Sequence, residues 1–329
     1  MKKAHFSSLT ALTALLTLST GCQSSNSMDS VVSQSFVHKY GFDLSEKEWK
    51  QGPQDGQAIA VLQNGVKVAR SFEQGTLHGA TTYTFPHSEV IEKLFVYDQG
   101  QLLKQLVNDP SGMPVRQEMY EFDNRTIVTQ WDEKGVPLSI EEYRDELLEE
   151  GKYYTPEHQL EAQVEKGHGE RVKRDRSGLL LSRDEIQNGI MTARTTFHPN
   201  GHMHTVSRYD NYQLHGEQMK YTVAGRPLMQ LHWDHGVLNG PKIVYRNGIK
   251  VAEIPYVKGL KNGVETHYDD LGNLTAEIEW KLDKKHGCTK LYSEELTEKE
   301  WFFKGQPVQA ERFEILQERD TLFSDTSVQ

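Results

Sequence analysis

The sequence predicts an all-β protein: one elongated, single-sheet meander of about eleven β-hairpin repeats of about 23 residues, closed by a C-terminal capping helix. Three observations lead there. The first is a period. Tyr209, Trp233, Tyr256 and Trp280 are each followed seven residues on by a glycine (Gly216, Gly240, Gly263, Gly287) and five further on by a tyrosine (Tyr221, Tyr245, Tyr268, Tyr292). The second is a pair of turn signals in every period, which leaves room for two short strands and nothing longer. The third is composition: 36% of the 329 residues are hydrophobic, against roughly 45–50% in an average globular domain by a class that also counts glycine. A deep, two-sided core is out of reach, whereas short units that pack only on their neighbours need far less apolar surface.

From the N-terminus, residues 1–21 read as a signal peptide: two lysines, an apolar stretch around Leu9 to Leu18, then small residues. The apolar stretch falls short of the ~20 residues that span a bilayer. Leu18-Ser19-Thr20-Gly21-Cys22 resembles the lipobox of bacterial lipoproteins. By that resemblance Cys22 becomes the acylated N-terminus and the protein's partner is the membrane, with Gln23 favouring the outer one. Each buried acyl CH₂ contributes about 0.8 kcal/mol, so more than one chain holds firmly. Residues 22–48 are expected to be a lipidated N-terminus and flexible tether. Cys288 is then without an intramolecular partner, and disulfides play no part in the fold. Lys and Arg number 37 against 47 Asp and Glu, a net charge of −10, which excludes a protein that binds nucleic acid by neutralising phosphates.

The array is expected over residues 49–305. Carrying the glycine slot backward gives Ala193, Gly169, Gly151, Val128, Lys104, Gly79 and Gly56, with one short step of 18 residues between Gly151 and Gly169. The aromatic slot persists as Trp49, Phe72 and Tyr97. A second glycine four residues before the slot, as in Gly52, Gly75, Gly100, Gly189, Gly236 and Gly259, marks one turn. A closing pair such as Asn64-Gly65 or Asn247-Gly248 marks the other, and Asn-Gly favours a type I′ hairpin. The two aromatic slots of a unit are expected opposite each other, lining a thin apolar stripe on one face, with charged residues facing water on the other. About 22 strands spaced ~4.7 Å apart make a sheet on the order of 100 Å long.

This pattern, Y/W-x-x-G-x-x-x-G-x-x-x-x-Y with a closing turn, resembles MORN repeats, most closely the variant in YwqK-type bacterial antitoxins. Tyr268-Asp269-Asp270-Leu271-Gly272 is similar to a YD repeat. The MORN resemblance implies a non-catalytic scaffold that binds a protein partner or self-associates. It nominates Trp49, Phe72, Tyr97, Tyr209, Trp233, Tyr256 and Trp280 as partner-binding residues, and Gly56, Gly79, Gly216, Gly240, Gly263 and Gly287 as turn glycines. Two stretches interrupt the rhythm. Residues 141–151, EEYRDELLEEG, have the propensity of a short acidic helix. The basic run Lys166 to Arg176 follows and is a candidate docking patch. Residues 306–329 are expected to form a cap and a tail.

Catalytic chemistry finds no support: no nucleophile elbow, zinc-protease helix or phosphate loop occurs, and no cofactor is expected. His78, His168, His215 and His286 all precede the slot glycine, but equivalents in successive hairpins would lie two strands, ~9–10 Å, apart. His198, His202 and His204 lack an evident carboxylate to complete a site, so no metal is expected either. The functional expectation is a membrane-anchored scaffold at the bacterial envelope. The alternatives are a toxin-neutralising protein and an envelope glycan or lipid binder using the aromatic stripe.

Overall fold

The computed structural model describes residues 30–293 and 296–325; Cys22 and the signal-peptide segment lie outside the described residues. Among these, 27 strands form one open antiparallel meander with a helix at its end. Apart from the two-residue strands Asp43–Leu44, Val237–Leu238 and Leu260–Lys261, which pair on one side only, each strand pairs with its neighbours in the chain, so the sheet order follows the sequence order.

The array starts earlier than expected. Val31–His38, inside the predicted tether, is a strand that pairs along Gly56–Leu62. Helix α1 (Glu46–Gln51) then carries Trp49 back onto this strand. Ser45 caps α1 by accepting from the Glu48 N–H while the Glu48 carboxylate accepts from the Ser45 N–H, a reciprocal capping box. Trp49 stacks on Phe36 at 5.1 Å and meets the edge of Phe72 at 5.8 Å. Val31–His38 reads as tether because Ser33, Gln34 and Ser35 are polar; its backbone pairing, not an apolar face, makes it a strand.

Residues 141–151 are not a helix. They belong to the strands Pro137–Arg144 and Leu147–Tyr154, joined by Asp145 and Glu146 at φ 49° and 68°. Helix propensity loses to tertiary burial of alternate residues: Ser139 and Glu141 on one strand, and Tyr153 and Gly151 opposite them, are all buried.

The two turn rows have different chemistry. On one edge, Gln74-Gly75, Gln99-Gly100, Asn188-Gly189, His235-Gly236 and Lys258-Gly259 have both residues at positive φ, as a type I′ turn needs. Gly52 is the exception, closing α1 instead. On the opposite edge the predicted type I′ geometry holds at Asn247-Gly248 but not at Asn64-Gly65, where only the glycine is at positive φ. There the rule is a type I-like turn ending in a glycine bulge, with Asp at its first position. Asp109, Asp132, Asp175 and Asp269 each accept from the backbone N–H four residues on.

The slot glycines lie just beyond the tight turns, in bulges. Going from Phe72 to Arg70 is two steps, but their partners Leu77 and Thr81 are four apart. The same two-residue excess recurs at Gly216 and Gly287. Where the slot holds Lys104 or Ala193 the excess is one residue. Positive φ is what the larger bulge demands, and only glycine adopts it freely.

The middle of the sheet is rolled. Three tight turns close a ring of backbone hydrogen bonds: Gly167 N–H to Glu149 O, Gly189 N–H to Gly167 O, and Leu148 N–H to Gly189 O. On the far edge Arg176 donates to Asp109 Oδ2 at 2.9 Å, across 67 residues of sequence. Leu148, Tyr153, Val164, Val172 and Ile186 form the apolar core there. At the C-terminal end, α2 (Ala310–Asp325) places buried Phe313 against Trp301 and His286, covering the last strands as the cap predicted.

Candidate functional site

The seven nominated aromatics do not form an open stripe. Trp49 is buried, and Phe72, Tyr97, Tyr209, Trp233, Tyr256 and Trp280 are half-buried. Nor do the two aromatics of a unit face each other: Tyr209 pairs with Leu214 and Tyr221 with Pro227. Each slot glycine instead faces the aromatic of the following unit: Gly56 with Phe72, Gly79 with Tyr97, Gly216 with Trp233, Gly240 with Tyr256, and Gly263 with Trp280. Gly287 faces Phe302. The register thus sets each large ring on the strand opposite a residue without a side chain, while the space a Cβ would take at Gly79, Gly216, Gly240, Gly263 and Gly287 is bordered by Ser71, Arg208, His232, Pro255 and Glu279. Repetition keeps one register, glycine opposite aromatic, from unit to unit in the regular part of the array.

The face that carries the rings is not the apolar strip the sequence suggests. Through the rolled segment its central positions are Glu141, Arg171, Asp184, Arg194, Ser207 and Gln218, linked across strands by register. Asp184 is fully buried. Its Oδ2 accepts from Arg171 Nε and Nη2 at 3.0 and 2.8 Å and from Arg194 Nη2 at 2.8 Å, and its Oδ1 accepts from Arg194 Nε at 2.7 Å. Burial pushes the Asp184 carboxyl up, but the two guanidiniums outweigh it and the group lies below the usual carboxylate range. Tyr143 and Tyr153 both donate to Glu141, at 2.7 and 3.0 Å. Burial, then the Glu141 charge, raises both phenols well above their ordinary value. They keep their protons, so this cluster has donors and paired charges but no poised base.

Beside it lies a cleft of about 120 Å³ lined by Arg116, Glu141, Tyr143, Lys173 and Arg174 among others. The predicted basic patch is divided. Arg171 pairs with Asp184, Arg174 with Glu161 and Arg176 with Asp109, which leaves Lys166, exposed at its turn, and Lys173 without a side-chain ion pair among the described residues. Burial and then neighbouring Arg171 push the Lys173 amine down. As a single docking surface the run Lys166 to Arg176 is therefore mostly spent on internal pairing.

A second cluster sits on the tight-turn edge, and sequence reasoning missed it. His215 and His235 rings are 4.6 Å apart. His235 Nδ1 is 2.7 Å from Asp234 Oδ1 and its Nε2 is 3.1 Å from Asp210 Oδ2. These carboxylates raise the His235 pKa, Asp234 contributing most. The sequence comparison set histidines of the same slot side by side. The signal it passed over was the dipeptide Asp234-His235 in the next turn.

No family model matches the chain, and no curated protein sequence matches it. Among solved structures it is similar over 72% of its length to 16% of the chain in the crystal structure of TcdB2-TccC3-TEV, at 12% identity and TM-score 0.18. It is also similar over 81% of its length to 92% of a porin-like protein from Bacteroides uniformis, at 8% identity and TM-score 0.15. At those scores neither likeness bears on function.

Proposed function

We propose that the protein is a lipid-anchored, non-catalytic binding scaffold of the bacterial envelope, and that it engages a protein partner, or a second copy of itself, by adding a strand to its N-terminal sheet edge. One observation carries the reading. The outer side of Val31–His38 pairs with Asp43–Leu44 only at Phe36 and Val37. Among the described residues no strand covers Val31 to Ser35, and all five are exposed. That stretch has no charge and no proline, the devices that usually protect an open edge. At the other end α2 packs Phe313 on Trp301 and Phe303, and the stretch 297–300 that the last strand leaves unpaired carries three charges, Glu298, Lys299 and Glu300. Strand addition gives affinity through main-chain hydrogen bonds and specificity through alternate side chains, here Val32 at 67% exposure. The MORN-like pattern of the last four units and the lipobox-like segment before Cys22 support the same role.

The test is cross-linking in intact cells with three forms: the native chain, Cys22→Ala and Val32→Lys. The native chain is expected in the membrane fraction with a defined cross-linked species. Cys22→Ala is expected to leave that fraction, and Val32→Lys to stay in it and lose the species. Unchanged fractionation of Cys22→Ala overturns the anchor; an unchanged cross-link in Val32→Lys overturns the edge.

A further inference from the structure

The repeat presents one arrangement of side chains twice, with a single informative difference. In the first copy Glu73 and His78 flank a tight turn, and Asp98-Gln99 occupies the next turn; in the second, Asp210 and His215 flank the turn, and Asp234-His235 follows. Both stretches are strand, turn, strand, with the histidine immediately before the slot glycine. The common part is superposable in its contacts: His78 Nδ1 lies 3.2 Å from Asp98 Oδ1, and His215 Nδ1 lies 3.5 Å from Asp234 Oδ1. Where the first copy has Gln99 at φ 45°, the second has His235 at φ 46°. The substitution adds an imidazole to a histidine–carboxylate pair without altering the turn.

We propose that His215, His235 and Asp234 bind a divalent transition-metal ion of the zinc class, with Asp210 as a positioning residue. One ligand atom from each of the three lies within 4.8 Å of the other two. A zinc ion bound at about 2.0–2.1 Å in tetrahedral geometry holds its donors roughly 3.3 Å apart. Asp234 Oδ1 is 2.7 Å from His235 Nδ1 and 3.5 Å from His215 Nδ1, so small rotations of exposed side chains complete the set. His235 presents Nδ1 to the ion and donates Nε2–H to Asp210 Oδ2, 3.1 Å away, which fixes the ring and its tautomer as a carboxylate behind a metal-bound histidine does. Water takes the fourth position. Two imidazoles and one carboxylate suit zinc, copper or nickel; magnesium and calcium prefer all-oxygen shells.

The site joins two hairpins. Asp210 and His215 belong to the strands Met203–Asp210 and Gln213–Tyr221, and Asp234-His235 ends Pro227–Asp234 and opens its turn. A bound ion therefore clasps one repeat to the next at the exposed end of their strands, beside the backbone pairing of Gly216 with Trp233. The sequence-level objection, that equivalent histidines lie too far apart, applies to His215 and its counterparts in the same slot. His235 comes from a different slot and from the adjacent turn.

The experiment is calorimetric titration of the chelator-treated full chain with zinc chloride, paired with nitrogen-15 spectra of the histidine rings. It compares the native protein with His235→Gln, Gln99→His and Asp210→Asn. Since Gln99 already occupies the equivalent turn at the same φ, His235→Gln is expected to fold normally. The native protein is expected to show His215 and His235 ring shifts on zinc addition, and His235→Gln to bind one equivalent fewer. Gln99→His is expected to gain one equivalent through His78 and Asp98. Asp210→Asn is expected to keep the stoichiometry and bind ~10–100-fold more weakly, as loss of such a support does. Equal zinc uptake by the native protein and His235→Gln, or no zinc-dependent shift of the His215 and His235 rings, overturns the site. No gain in Gln99→His overturns the claim that this arrangement suffices. Equal binding of magnesium chloride overturns the assignment to imidazole.

Discussion

Replacing Asp184 by Asn tests whether charge holds the rolled segment together. The carboxylate is fully buried and receives four hydrogen bonds from Arg171 and Arg194. Asparagine keeps the volume but offers one oxygen in place of two and turns an N–H₂ toward a guanidinium. Two cations then share the interior with only the Glu141 carboxylate, acting on Arg171, left to oppose them. Breaking a buried pair in this way costs about 3–5 kcal/mol. The Arg171 and Arg194 side chains are 14% and 30% exposed, so water reaches them and the lower end, ~3 kcal/mol, is the expected value. Arrays in which units touch only their neighbours do not unfold as one transition, so the assay is hydrogen exchange resolved along the chain. A loss of ~3 kcal/mol corresponds to exchange roughly 100-fold faster, confined to residues 137–197. Unchanged protection there refutes the reasoning. The triple variant Asp184→Leu, Arg171→Met, Arg194→Met removes all three charges at similar volume and is expected to restore protection. If it is as labile as Asp184→Asn, packing rather than uncompensated charge is responsible.

Three further outcomes are expected. Asp109 is held at about 2, chiefly by the Ser111 hydroxyl and then by Arg176, and Asp184 is also depressed. Because folded values lie below unfolded ones, their contribution is complete above the ordinary carboxylate range and is lost as pH falls toward 2; circular dichroism on acid titration is expected to show the roll loosening in that window, and a structure equally stable at pH 5 and pH 2 contradicts it. Gly216→Ala and Gly56→Ala both place alanine at positive φ, at 81° and 136°, but a Cβ at Gly216 meets nothing nearer than 3.8 Å whereas one at Gly56 lies 2.1 Å from the Val37 carbonyl oxygen. Gly216→Ala is expected to cost about 1–2 kcal/mol and Gly56→Ala distinctly more in urea denaturation followed by local probes; equal losses would show that strain, not the clash, governs both. Trp49→Ala is expected to destabilise the N-terminal end by about 3–5 kcal/mol and release Val31–His38, seen as early proteolysis before Gly56, while the C-terminal units keep their protection.

Much of this fold is legible because its turns are written in glycine. The period of the last four units, the tight turns and the capping helix all follow from local chemistry. What sequence alone misses has a common cause: it depends on which residue lies opposite which. Tyr209 and Tyr221 look symmetric about Gly216, yet the hairpin reverses at Asn211 and Tyr212, both at positive φ without glycine. That sets Trp233 of the next unit opposite Gly216, and Tyr209 and Tyr221 away from each other. The acid-rich stretch 141–151 looks helical because propensity cannot register Glu141 accepting from buried Tyr153 and half-buried Tyr143. His235 is passed over because a slot-by-slot comparison never sets it beside His215.

The central irregularity has a physical explanation. The short step between Gly151 and Gly169 leaves the strand Leu160–Glu165 pairing with His168–Arg174 at only two positions, and the flanking hairpins approach each other across it. Their turns then bond in a ring, and one face becomes an interior. Leu148, Tyr153, Val164 and Ile186 fill part of it, and the buried Glu141 and Asp184 with their donors fill the rest. That choice also settles register. Arg171, Asp184 and Arg194 are direct cross-strand partners. A one-residue slip would turn Asp184 outward and bring Glu185 against a neighbouring strand's inward position, leaving cations and an acid mismatched. Ala193 cannot enforce register here through a large glycine bulge, as Gly216 and Gly287 do elsewhere. The buried Arg–Asp–Arg ladder therefore takes over, within the same rolled segment, the alignment that glycine and its covering ring provide in the regular units.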